Sequence, residues 1–255
     1  MYSALLFSVF LAAGPCEQSG APKAPAEPPA LDPAKSYGSL YDWAGGRDNA
    51  PLGIGRLKLQ GRESPWDWWL RVEIPLYGTP ASVPWGWYKN GWILDSDGRE
   101  AAGTSGMIET EYERMSFVVL EDRPDGWIRL RYGKPFRGQG GVAWTHRCHL
   151  EEQGLRFESW EERFLSDEIS PLHFRSRVRH ALRTNPAESA PRAHWIGEDH
   201  DLEPLEIAGE WMRVRVTEPS VYCAGDETRG EAHEGWVRFR SDDKGPWVWY
   251  FTRGC

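Results

Sequence analysis

The sequence predicts an all-β protein built from two copies of one small β domain, and three observations carry that prediction. Three runs share the pattern Trp, apolar, Arg, apolar, Arg: Trp127 to Arg131, Trp211 to Arg215 and Trp236 to Arg240. Alternation with period two is a strand whose apolar pair (Ile128 and Leu130, Met212 and Val214, Val237 and Phe239) faces a core while Trp and both Arg share the other face. The order of segments also repeats: residues 108–150 run through an apolar-charged strand, the first Trp run and a Gly141-Val142-Ala143-Trp144 strand, and residues 196–240 follow the same order. Finally, 27 Gly, 19 Pro and 15 Trp in 255 residues, with 13% aromatic residues, suit loop-rich β domains with aromatic cores.

Asn90-Gly91, Asp125-Gly126 and Lys244-Gly245 have the composition of hairpin turns. Only the stretches near Glu109–Arg114 and Glu158–Phe164 resemble short helices, and neither is expected to form one. The net charge of −8 argues against a nucleic-acid binder.

The N-terminus predicts export. Residues 4–14 are apolar but too short to span a bilayer, as in a signal-peptide core. Leu11-Ala12-Ala13-Gly14-Pro15-Cys16 resembles a bacterial lipoprotein box, which implies lipid on Cys16. The competing reading is an exported protein cleaved nearby, with Cys16 free or paired. Residues 17–40, rich in Pro and Ala, read as a tether with little to bury. The expected organisation is therefore 1–16 signal segment, 17–40 tether, 41–168 first β domain and 169–255 second.

The second copy carries a resemblance in Ala181-Leu182-Arg183-Thr184-Asn185-Pro186, Ile196-Gly197, Leu205-Glu206-Ile207, Glu210-Trp211-Met212-Arg213-Val214 and Gly235-Trp236-Val237. Both copies resemble bacterial SH3 domains, small barrels of exported proteins, the first from Ile108 to Trp144. The resemblance implies two SH3-like barrels in tandem. It places Trp236 on the closing strand of the second barrel, so the third Trp run is a neighbouring strand and not a third unit. In the first copy, Pro84 to Leu94 reads as an inserted hairpin, and each copy is expected to end in one more hairpin, turning at Glu151–Gly154 and at Asp242–Gly245.

Two surfaces are candidates for binding. Trp85, Trp87, Tyr88 and Trp92 are dense enough to line an aromatic groove for an extended ligand, although packing of the same rings in a core explains them equally. Strand alternation through Phe174–Arg183 would point Phe174, Val178 and Leu182 inward and Arg175, Arg177, Arg179 and Arg183 outward. That stripe suits an anionic partner, or cross-strand pairing with acids such as Glu206 and Glu210. The Arg residues of the Trp runs are expected to stack on their own strand's Trp.

Catalytic patterns are poor. Gly103-Thr104-Ser105-Gly106 lacks the spacing of a nucleophile elbow. His146-Arg147-Cys148-His149 is not followed by a second metal-ligand pair, and in an exported protein Cys148 reads as half of a disulfide. If Cys16 is lipidated, Cys223 and Cys255 are the favoured pair. No catalytic residue, metal or cofactor is expected. The leading expectation is a non-enzymatic, lipid-anchored envelope protein, periplasmic or at the outer membrane, binding peptidoglycan or an extended segment of an envelope protein. An inhibitor or immunity-type protein that caps a secreted enzyme is the alternative, and a cell-wall hydrolase ranks third.

Overall fold

A computed structural model describes Cys16 and residues 51–61, 67–102, 107–132, 141–169, 171–176, 178–220, 230–241 and 245–252. The expected tether and the positions Arg177, Cys223 and Cys255 lie outside these residues. The chain forms β1 (Gly55–Leu59), β2 (Glu73–Tyr77), β3 (Pro84–Lys89), β4 (Trp92–Asp95), β5 (Glu100–Ala102), β6 (Met107–Glu111), β7 (Arg114–Asp122), β8 (Trp127–Tyr132), β9 (Gly141–His146), α1 (Arg147–Glu152), β10 (Leu155–Ser159) and α2 (Trp160–Phe164). It continues with β11 (Leu172–Phe174), β12 (His180–Arg183), β13 (Arg192–Ile196), β14 (Asp201–Ala208), β15 (Trp211–Glu218), β16 (Glu231–Arg238), β17 (Arg240–Ser241), β18 (Gly245–Pro246) and β19 (Val248–Tyr250). The protein is all-β with antiparallel ladders. No helix among the described residues is long and apolar enough to cross a membrane.

The two main sheets share one plan. In the first, the strands run β10-β1-β7-β8-β9-β2-β3-β4-β5, with β6 also beside β7. The second, taken from its far edge, runs β19-β11-β14-β15-β16-β12-β13. Each set of seven has the same chain order, so β10-β1-β7-β8-β9-β2-β3 matches it strand for strand. Register agrees too: Arg129 opposes Trp144 and Leu130 opposes Ala143 in the first unit, as Arg213 opposes Trp236 and Val214 opposes Gly235 in the second. Tyr77 then pairs with Trp144, and Arg183 with Trp236. The first unit's additions are β4, β5 and β6. What the sequence suggested as an inserted hairpin is therefore half insertion, because β3 has a counterpart in β13 and only β4 does not.

Local chemistry explains the elements. Asn90 and Gly91 close the β3–β4 hairpin as a two-residue loop with φ of +50° and +79°, the left-handed pair that such a loop requires. The core face of the Trp runs is buried as the alternation demands: Ile128, Leu130, Met212, Val214, Val237 and Phe239 are each at most 2% exposed. Two helices form where none was expected. In α2 the Ser159 hydroxyl accepts the Glu162 N–H at 3.0 Å, a side-chain cap before an acidic first turn. In α1 the cap is a histidine, with His146 Nδ1 accepting the Cys148 N–H at 3.3 Å. Because α1 occupies Arg147–Glu152, no hairpin turns at Glu151–Gly154, and β10 crosses to pair with β1 instead. The stretch Glu109–Arg114 is the β6–β7 turn and not a helix.

The two sheets meet through a shared core. One face of the first sheet packs Leu57, Val119 and Leu155 into the first unit's own core. Its other face sends Leu52, Ile108 and Val118 into the cluster formed by the second sheet, joined there by Trp160 and Phe164 of α2. Trp160 donates from Nε1 to the Leu52 carbonyl at 2.8 Å and meets Trp249 edge to face at 5.0 Å. The backbone approach is so close that a Cβ on Gly245 would lie 2.2 Å from the Gly53 carbonyl oxygen. Only glycine fits there.

Candidate functional site

A cleft of about 880 Å³ opens beside this junction, lined by residues of the first unit. It lies on the first sheet's face that meets the second unit, and strand pairing builds its floor. Arg56 and Lys58 of β1 stand on one face of the strand, two residues apart, opposite Glu158 and Arg156 of β10. Thr110, Glu111, Arg114 and Ser116 arrive from the β6–β7 ribbon, Arg163 and Glu168 from α2 and the segment after it, and Leu59 and Trp68 form an apolar wall.

The cleft centres on a buried cation. Arg56 is 2% exposed and donates from Nε to Glu158, from Nη1 to the Thr110 hydroxyl and, at 3.0 Å, from Nη2 to Glu111. Burial lowers its pKa, but the Tyr250, Glu158 and Glu111 groups outweigh that and hold the guanidinium charged. Burial likewise opposes ionisation of Glu158 and Glu111. Arg56 overcomes it, helped by Lys58 at the first and by Arg163 and Arg114 at the second, and both carboxyls sit below their usual range. Burial raises the Tyr250 phenol despite the nearby Arg56 and Arg163. The phenol donates to the Thr110 carbonyl at 2.8 Å, which fixes the second unit's last strand against the floor.

The outer layer is looser. Glu168 is 68% exposed and reaches both Arg163, at 3.1 Å, and Lys58, at 3.8 Å. Arg114 and Arg156 are each 37% exposed and paired with Glu111 and Glu162 at 2.8 Å. Five cations (Arg56, Lys58, Arg114, Arg156, Arg163) thus face four carboxylates (Glu111, Glu158, Glu162, Glu168), one positive charge in excess. A carboxylate from a ligand can take the place of Glu168 at little cost, because Glu168 is already in water. Sequence reasoning passed over this site, since Arg56 and Lys58 in Gly-Arg-Leu-Lys-Leu look like any solvated strand face. Only the pairing of β1 with β10 and the approach of the second unit turn them inward.

The surfaces suggested by the sequence are arranged differently. Trp87 and Tyr88 are buried, at 7% and 0% exposed, and the Tyr88 hydroxyl donates to the Trp69 carbonyl at 2.8 Å. Trp85 is half-buried against Tyr132 and Trp92 is half-buried, so the four do not line one open groove. The arginine stripe is broken. Residues 175, 176, 178 and 179 lie outside the ladder between β11 and β12, the His180 ring stacks on Phe174 at 3.6 Å, and Val178 is 67% exposed instead of inward. Arg175 donates to the Pro246 carbonyl, Arg179 is exposed, and Arg183 pairs with Glu188. Glu206 and Glu210 pair with Arg213 and Arg238 instead. Nor do the arginines stack on their own strand's Trp: Arg129 lies over Trp144 and Arg238 over Trp247. Rings on neighbouring strands are nearer than rings two residues along the same strand.

Cys16 and Cys148 form a disulfide. A sulfur so bonded cannot carry a thioether lipid, so this bond and lipidation at Cys16 exclude each other. The pairing corresponds to the competing reading of the N-terminus and makes Cys148 a disulfide half. His149 abuts the bond, with Nδ1 3.2 Å from Cys16 Sγ and Nε2 3.1 Å from the Tyr77 hydroxyl, whose pKa burial pushes up to about 12. The histidine that looked like a nucleophile's partner is thus packed against an oxidised sulfur.

No protein-family model matches the chain, and no curated protein sequence matches it.

Proposed function

We propose that the protein is a non-enzymatic binding module of the bacterial cell envelope, a tandem of SH3-like barrels that takes carboxylate groups of peptidoglycan or of an extended peptide into the cleft on its first unit. The observation that carries this reading is Glu168 itself, an exposed carboxylate bridging Arg163 and Lys58 at the mouth of a cleft in a protein otherwise acidic. Wall polymer presents carboxylates along an extended chain. Guanidinium groups bind them through paired N–H donors, and Leu59 and Trp68 give the apolar wall on which a sugar or side chain rests. The matched strand order of the two sheets supports the tandem reading, and a disulfide supports export to an oxidising compartment. In the disulfide-bonded form the protein is not anchored through Cys16.

Purified sacculi test the proposal. The folded chain, checked by circular dichroism, is expected to sediment with sacculi at low salt and to be released as salt screens the contacts. The double variant Arg114→Ser and Arg156→Ser, altered only at the half-exposed rim, should bind roughly tenfold more weakly, as loss of about 1.4 kcal/mol implies, while Arg192→Ser should bind normally. Failure of the wild type to sediment at low salt removes wall binding. Equal binding by the rim variant moves the site away from the cleft.

A further inference from the structure

Three of the chain's seven histidines converge far along the second unit, away from the cleft. His194 is carried by β13, His200 by the turn before β14, Glu218 by the end of β15, and His233 by β16. The Ser220 N–H donates to the Asp199 carbonyl at 3.1 Å and the Ser220 hydroxyl to Asp201 at 2.6 Å, which holds the turn against the end of β15. Glu218 Oε2 then lies 2.8 Å from His194 Nε2 and 3.2 Å from His200 Nε2. The three ligand atoms all fall within 4.8 Å of one another.

Two features separate this from an ordinary ion pair. His200 is 9% exposed, and its Nε2, although near Glu218, lacks the geometry of a hydrogen bond and is buried without a hydrogen-bond partner. A buried nitrogen held at ion-pair distance without a well-directed hydrogen bond is incompletely satisfied, and a ligand would complete it. In addition, the His233 ring stacks on His194 at 4.0 Å and fixes its plane, and His233 Nε2 is also buried without a hydrogen-bond partner. Glu218, 44% exposed, leaves a path from solvent.

We propose that His194, His200 and Glu218 bind a first-row divalent cation of the zinc class. Two imidazole nitrogens and one carboxylate oxygen form a donor set that such ions favour over magnesium or calcium, which take oxygen ligands. Three protein ligands leave the fourth tetrahedral position to water or to an incoming ligand. Coordination through His200 Nε2 places the ring proton on Nδ1, where the Gly197 N–H now points at 3.3 Å. That long contact is exchanged for the metal bond. The ion would clip the turn before β14 to the end of β15, and it would do so independently of the cleft.

The test uses the full, disulfide-bonded chain freed of metal by a chelator and titrated calorimetrically with Zn²⁺, then with Co²⁺ read by its visible absorption. One equivalent is expected to bind, with a rise in melting temperature. His194→Gln and Glu218→Gln should each weaken binding by roughly tenfold or more, taking the loss of an outer-shell partner as the floor. His180→Gln, in another part of the unit, should leave it unchanged. Absence of saturable binding with Zn²⁺ overturns the proposal. So does undiminished binding by the double variant His194→Gln and Glu218→Gln, which would place the ion on other ligands. Both glutamine variants alter half-exposed side chains, and their melting curves without metal confirm that they fold.

Discussion

Strands β8 and β15 carry the same five-residue pattern at the same place in two sheets of matching order, yet their second faces are covered to different extents. Both bury the apolar pair. In β8 two of the three residues of the other face are buried: Trp127 is 5% exposed, edge to face with Tyr77 at 5.1 Å and with His146 at 5.3 Å, and Arg131 is 6% exposed, while Arg129 between them is 38% exposed and pairs with Glu121. In β15 the equivalent Trp211 is half-buried, and Arg213 and Arg215 reach solvent and pair with Glu206, Glu203 and Glu234. The register explains the difference. Trp127 opposes His146, the residue that caps α1, whereas Trp211 opposes Arg238 of an open strand. A strand pattern thus determines which face enters the first core, while the fate of the other face depends on what the chain lays over it.

The largest effect should come from the covered face. Trp127→Ala opens a cavity beneath Tyr77 and His146 and should cost about 4 kcal/mol, as large-to-small changes in packed cores do. Trp211→Ala should cost about 1 kcal/mol, in the range of ordinary partly exposed substitutions. Urea denaturation of the two variants measures the difference directly. Equal losses would mean that the covering of β8 contributes nothing and that the two faces are energetically alike.

The same contrast applies to charge. Arg56→Ala strands Glu158 and Glu111 in a buried site and should cost about 3 kcal/mol. That is the low end for breaking a buried pair, because Lys58 remains 3.1 Å from Glu158. Arg215→Ala removes an exposed cation whose partners return to water, and its midpoint should coincide with the wild type's. A measurable shift for Arg215 with none for Arg56 would reverse the assignment of which network holds the fold.

Part of this was legible in the sequence. The Trp runs located β8, β15 and the end of β16, and alternation identified their buried residues, because period two leaves one arrangement once a core exists. Asn90-Gly91 marked its hairpin through the left-handed conformations that those residues accept. The break between β11 and β12 was not legible, because Phe174 to Arg183 alternates well enough for one strand and only its different partners, β14 and β19 before the break and β13 and β16 after it, divide it. Cap residues signal helices as short as α1 and α2 only weakly, and His146 is an unusual cap. The cleft was hidden for a deeper reason: Arg56, Glu158, Glu111 and Arg163 are spread over more than a hundred residues, and each alone looks like surface charge.

Acid should sharpen the contrast, though the effect is invisible at neutral pH. Glu158 and Glu111 have folded-state pKa values held below the ordinary carboxylate value, with burial opposing ionisation and Arg56 overcoming it. A carboxyl with a depressed folded pKa is deprotonated longer in the native state than in the unfolded chain. Its stabilisation is therefore complete above about pH 4.3, the unfolded value, and disappears as pH falls through the folded value, because the unfolded state takes up protons first. Stability measured by urea at pH 7, 5, 4 and 3 should be flat to about pH 5 and fall below it, with the first unit's cleft as a principal source. Glu158→Gln should start from lower stability at neutral pH and fall less steeply, by roughly one proton in the slope. If wild type and variant descend in parallel from pH 5 to pH 3, Arg56 does not hold Glu158 in its charged form, and the buried network is no stronger than the exposed pairs on β15.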